Sequence, residues 1–137
     1  MSLYLCVFKQ ENEVDGIEIG SYSDFGLFRD SVRDKIEGGV AGSRYPVLML
    51  HSDCDGIWSF HEAGLLLKEL FEIANSFKEI PPEEFHSEWQ KKVSKSTGLN
   101  PANLYECFID IDGEFLIERL IGLCQLSQNI REPILFQ

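Results

Sequence analysis

The sequence predicts an α/β fold of the α+β kind: one layered domain over residues 1–137, with a mixed sheet of four to five strands packed with three to four helices. Three observations lead there. A chain of 137 residues is long enough to bury a core and short for two domains. Its 44% hydrophobic content, with 10 Phe, 2 Trp and 4 Tyr, supplies the apolar mass that a disordered acidic tail lacks. Runs of strand character alternate with runs of helical period along its length. The sheet is expected to be mixed because the first two strands read as an antiparallel hairpin, while residues 46–50 read as a central strand covered on both faces.

The elements follow in chain order. Leu3-Tyr4-Leu5-Cys6-Val7-Phe8 has the aromatic and β-branched content of a strand, and Ile17 and Ile19 alternate with polar neighbours in a second. Asp15-Gly16 is the turn signal assigned to the hairpin between them. Asp24 is placed to cap a helix, since its carboxylate accepts orphan backbone N–H groups, and Phe25, Phe28, Val32 and Ile36 recur at helical spacing until Gly38-Gly39. Ser59-Phe60-His61-Glu62 matches a capping box ahead of a long helix bearing Leu66, Leu70, Ile73, Phe77 and Ile80 on one stripe. Glu62, Glu69, Glu72 and Glu79 occupy an adjacent stripe, a pattern that usually marks a solvated face.

Ile80-Pro81-Pro82-Glu83 reads as a bend inside the domain. Phe85, Trp89 and Val93 define a weaker helix stopped by Gly98. Cys107-Phe108-Ile109-Asp110-Ile111 reads as a further strand, turned by Asp112-Gly113 into a helix whose Leu116, Leu120 and Leu123 face the core. Pro133 opens a last short strand, Ile134-Leu135-Phe136. Met1-Ser2-Leu3 reads as a cloning remnant.

Charge excludes one class of partner. With 23 acidic against 12 basic residues the net charge is -11, and no basic cluster exceeds Lys91-Lys92. Phosphate backbones are bound by Lys and Arg that displace counterions, so direct nucleic-acid binding is not expected, and a cationic partner is. A membrane role is not expected either, since no apolar run approaches the roughly 18 residues of a spanning helix. Four cysteines without a C-x-x-C pair suggest neither zinc-ribbon nor thioredoxin chemistry; Cys6, Cys107 and Cys124 sit among apolar residues as buried thiols do, which favours a reduced, cytoplasmic protein.

The densest polar constellation is His51-Ser52-Asp53-Cys54-Asp55-Gly56-Ile57-Trp58, between a predicted strand end and a helix, where α/β proteins place their sites. One reading is a small hydrolase or metal-binding enzyme that uses His51, Asp53, Cys54 and Asp55 together with Asp110 and Asp112. Neither Asp-x-Asp-Gly stretch completes a calcium loop, which needs a bidentate Glu at its twelfth position. A cysteine nucleophile wants cationic surroundings, and Cys54 has a carboxylate on either side. The plainest reading is a turn folded by Asx-type bonds, with Gly56 at positive φ. A further reading needs no catalysis: Trp58 as an aromatic anchor rimmed by His51, Asp53, Asp55, Glu62 and Glu69, with Trp89 as a second anchor or a core residue.

The stretch from Tyr45 to Trp58, with Leu3-Tyr4-Leu5-Cys6-Val7-Phe8, Gly20-Ser21-Tyr22-Ser23-Asp24-Phe25, Cys107-Phe108-Ile109-Asp110-Ile111-Asp112-Gly113-Glu114 and Pro133-Ile134-Leu135-Phe136-Gln137, resembles immunity protein family 70. The resemblance spans essentially the whole chain. It implies a bacterial immunity protein of a polymorphic toxin system, a stoichiometric cytoplasmic inhibitor that binds a cognate toxin domain, with no cofactor and no catalysis. It carries no binding residues over, so the contact patch of His51, Asp53, Asp55, Trp58, Glu62 and Glu69 rests on the residues themselves.

Overall fold

The structure, a computed structural model, describes residues 2–137; Met1 lies outside the described residues. Ser2 and Leu3, grouped above with a remnant, belong to the first strand, and Leu3 is fully buried. Strands β1 (Ser2–Lys9) and β2 (Asn12–Ser21) form the hairpin, followed by helices α1 (Tyr22–Ile36) and α2 (Pro46–Met49), strand β3 (Ile57–Trp58) and helices α3 (Phe60–Lys78) and α4 (Glu88–Thr97). A 3-10 turn (Leu104–Cys107), helix α5 (Leu116–Ile130) and strand β4 (Ile134–Phe136) complete an α+β fold. The sheet order is β2-β1-β4-β3, and every pairing is antiparallel.

The expected mixed sheet is therefore corrected, and the reason lies at residues 46–50. This run forms α2, not a central strand: Pro46 sits at the first helical turn, where its missing N–H costs nothing. The Glu69 carboxylate accepts from Val47 and Leu48 N–H at 3.1 and 2.9 Å, supplying the partners a helix start lacks. Only Leu48 is fully buried, whereas Leu50 is 67% exposed, which a strand covered on both faces would not tolerate.

Residues 107–111 also differ from the expected strand. They leave the 3-10 turn and make a single antiparallel bridge, Ile109 to Phe115. Asp110 Oδ1 accepts from the N–H groups of both Asp112 and Glu114, folding the chain back before a ladder can form. The hairpin turn is Gln10-Glu11, with Gln10 at φ 59°, while Asp15 and Gly16 lie inside β2 beside a bulge opposite Val7 and Phe8. Ser21 caps α1, and Asp24 is the reciprocal acceptor three residues on.

Register divides the side chains of the sheet between two faces. Leu5 pairs with Phe136, and Val7 with Ile134, which pairs with Trp58; all belong to one apolar core with Phe28, Leu66, Leu70, Phe77, Leu120 and Leu123 from the helices. Full burial of each such side chain contributes on the order of 1.5–3 kcal/mol. The other parity carries Tyr4, Cys6, Phe8, Leu135 and Ile57, none of them in that core. Helices thus cover the sheet on one face only.

Candidate partner-binding surface

The loop from α2 to β3 is held from below by an aromatic latch. His51 stacks on Phe136 with ring centroids 4.2 Å apart at 21°, and Trp58 meets Phe136 edge-on at 4.7 Å. Trp58 donates its indole N–H to Val47 O at 3.1 Å, tying the start of β3 to α2. Both ring nitrogens of His51 face carbonyls, Nδ1 to Ser52 O and Nε2 to Ile57 O, each at 2.7 Å. A neutral imidazole has one N–H and donates to one of the two; a doubly protonated ring donates to both. Gly56 completes the turn at φ 88°, a conformation that favours glycine.

Asp53 and Asp55 stand exposed on this scaffold, and neither is in an ion pair among the described residues. The Arg29 guanidinium on α1 lies over the Phe25 ring at 4.5 Å and feels the charge of Asp53; burial pushes its pKa down and Asp53 opposes that. Arg29 Nε and Nη2 are buried without a hydrogen-bond partner. Glu62 caps α3 by accepting from Ser59 N–H at 3.0 Å and remains exposed.

Two residues of the expected patch are placed elsewhere. Trp58 is fully buried, because its parity in β3 is the inward one, so it presents no surface to a partner. Glu69 is only 9% exposed and turned onto α2. Burial raises its pKa, and the two backbone N–H groups pull the other way. Of the remaining four, His51, Asp53 and Asp55 lie on the loop before β3 and Glu62 in the first turn of α3 after it; His51 is the latch and the three carboxylates are exposed.

The enzyme reading required the loop and Asp110/Asp112 to converge, and the structure separates them. The loop adjoins β3, whereas Ile111 N donates to Glu18 O of β2, and those strands are opposite edges of the sheet, about 14 Å apart at normal strand spacing. Asp110 instead faces Arg119, whose Nε is 3.5 Å from its Oδ2, while Arg119 also reaches Asp15 and Gly16 O. No three His, Cys, Asp or Glu side chains are grouped as metal ligands among the described residues. Cys54 Sγ has Ser52 Oγ at 3.7 Å, and the nearby His51 is turned onto two carbonyls, so no base is directed at that thiol. The buried thiols are inert: burial pushes Cys124 up to about 12 and raises Cys6 and Cys107 as well.

A feature not read from the sequence is the uncovered outer face of the sheet. Its row Cys6, Leu135, Ile57 runs across three strands, and Ile57 is 46% exposed. Tyr4 lies across Gly16, where a Cβ would collide with its ring, and donates its hydroxyl to Glu13 at 3.0 Å. Burial and that bond raise the Tyr4 hydroxyl to about 12, so it stays a donor. The signal for this face was the alternation in β1 itself, hidden because both parities are apolar.

Fold and surface together describe a small acidic α+β domain with carboxylates displayed on an exposed loop and a sheet covered by helices on one side only. A sequence model of the Immunity protein 70 family matches residues 3–136, nearly the whole chain, and the chain belongs to that family. Its role is accordingly that of an immunity protein. No curated protein and no solved structure matches the chain. Among the described residues, no helix is long and apolar enough to cross a membrane.

Proposed function

We propose that this chain is the stoichiometric, non-enzymatic inhibitor of a cognate toxin domain of a bacterial polymorphic toxin system. It acts in the cytoplasm through an acidic surface that contains Asp53, Asp55 and Glu62. The observation that carries this reading is the family match over residues 3–136. The loop supports the acidic part: its two aspartates are exposed and outside any ion pair among the described residues, on a loop whose His51 is tied to Ser52 O, Ile57 O and Phe136. A net charge of -11 accelerates encounter with a basic toxin surface and repels anionic competitors.

The test is co-expression with the toxin domain encoded beside this chain's gene. Growth is expected to be restored by the wild-type protein, and loss of protection against every neighbouring toxin sinks the proposal.

A further inference from the structure

We infer that the helix-free outer face of the sheet is the apolar centre of the toxin interface, with Tyr4, Phe8, Leu135 and Ile57 receiving a cationic surface of the toxin domain. The inference rests on the toxin-binding reading above and adds the surface that the acidic loop alone does not supply.

Geometry comes first. Paired residues share a face, so Tyr4 with Glu18, Phe8 with Glu13, and Cys6 with Leu135 and then Ile57 all point away from the helices. Cys6 is fully buried, Tyr4, Phe8 and Leu135 are half-buried, and Ile57 and Val14 of the adjacent bulge are each 46% exposed. Three strand spacings by four residues of β1 give about 14 by 13 Å, roughly 200 Å² between Cα positions. A standard interface buries about 800 Å² per partner, so this face is a centre that needs a rim.

Charge then selects the occupant. The outward positions of the four strands include two carboxylates, Glu13 and Glu18, and no Lys or Arg. The loop that ends in β3 carries Asp53 and Asp55 just before that edge strand, with Asp53 near enough to Arg29 of α1 for its charge to be felt there. A second copy of this chain brings the same carboxylates and a charge of -11, so like charges would face one another. A basic protein surface meets apolar side chains in the middle and the Glu13 and Glu18 carboxylates along the β2 side. Tyr4 is already ordered for this contact by its bond to Glu13 and its seat on Gly16, which lowers the cost of fixing it on binding.

The experiment titrates the purified toxin domain encoded beside the gene against wild-type protein, Ile57→Lys, Glu18→Lys and Leu65→Lys. Leu65 on α3 is 55% exposed and away from the sheet face, so its variant controls for an added lysine. Ile57→Lys is expected to weaken binding about 30-fold and Leu65→Lys less than about twofold. Glu18→Lys is expected to weaken it about tenfold and to lower its salt dependence. Should Ile57→Lys fail to fold by circular dichroism, Glu18→Lys decides alone. Wild-type affinity in these face variants, or an equal loss in Leu65→Lys, overturns the inference while leaving toxin binding intact. Sedimentation of the free protein is expected to give a monomer; a dimer dissolved by Ile57→Lys assigns the face to a second copy and also overturns it. Absence of binding by the wild-type protein removes the toxin reading itself, an outcome visible before any variant is compared.

Discussion

Glu69 and Asp110 turn their carboxylates inward onto backbone N–H groups, whereas Asp53 and Asp55 carry theirs in solvent. Glu37 belongs with the first pair: it is 5% exposed and accepts from Gly42, Arg44 and Tyr45 N–H, closing the loop that leads into α2. An inward carboxylate is part of the fold, since removing it leaves buried donors unpaired. An exposed carboxylate on a loop outside any ion pair costs the fold almost nothing and is free to serve a partner. The acidic excess of this chain is therefore two populations, and the proposed binding role falls on only one of them.

The largest effect is expected at Glu69. Glu69→Ala strands the N–H groups of Val47 and buried Leu48 at the start of a four-residue helix. The expected loss of unfolding free energy in urea is about 3 kcal/mol, and a loss under about 1 kcal/mol would show that α2 does not depend on this cap. Asp110 sharpens the contrast. One oxygen, Oδ1, accepts both turn bonds, so Asp110→Asn retains them and Asp110→Ala loses them. The alanine variant is expected to lose about 2 kcal/mol and the asparagine variant about half that, the remainder being its tie to Arg119. Equal losses would assign the role to the charge rather than to the turn.

The same two residues explain how far the sequence could be read. The capping box at Ser59 and Glu62, the amphipathic stripe of α3 and the Gly98 stop of α4 are local signals, written within a few residues, and all are present in the structure. Glu69 looked like one member of a solvated stripe because its partners lie 21 and 22 residues away, beyond any spacing rule. Its misplacement and that of residues 46–50 are one error. A short apolar run has no period that separates strand from buried helix, and the carboxylate that decides between them comes from another element. Of the proposed binding surface, the exposed Asp53 and Asp55 are legible as a polar turn. The outer face was not, because Tyr4, Cys6 and Phe8 are as apolar as the inward Leu3, Leu5 and Val7.

Titration offers a smaller effect that separates the inward carboxylates from the rest. Burial raises the folded pKa of both Glu69 and Asp110, outweighing the backbone donors that stabilise their charge. Raised acids bind protons more tightly in the folded state than in the unfolded one. Their contribution is therefore fully present below the ordinary carboxylate range and declines as pH rises through the raised values. Wild-type stability measured by urea unfolding is expected to fall across that window, and Glu69→Gln with Asp110→Asn to flatten the fall. An unchanged slope in the double variant would mean that these two groups do not titrate differently on folding.

The smallest stability effect belongs to the loop. Asp53→Asn with Asp55→Asn removes two exposed charges outside any ion pair among the described residues, of which only Asp53 is felt by Arg29, so unfolding free energy is expected to stay within about 1 kcal/mol of wild type. Those charges lie about a Debye length or less from any partner seated on β3, so the salt dependence of toxin binding should diminish in the same variant. A variant that keeps full stability and loses salt sensitivity places the partner at the loop. One that keeps both would move the interface to carboxylates elsewhere on the surface. Because the inward set cannot be varied without cost to the fold, this pair is where binding and folding can be measured apart.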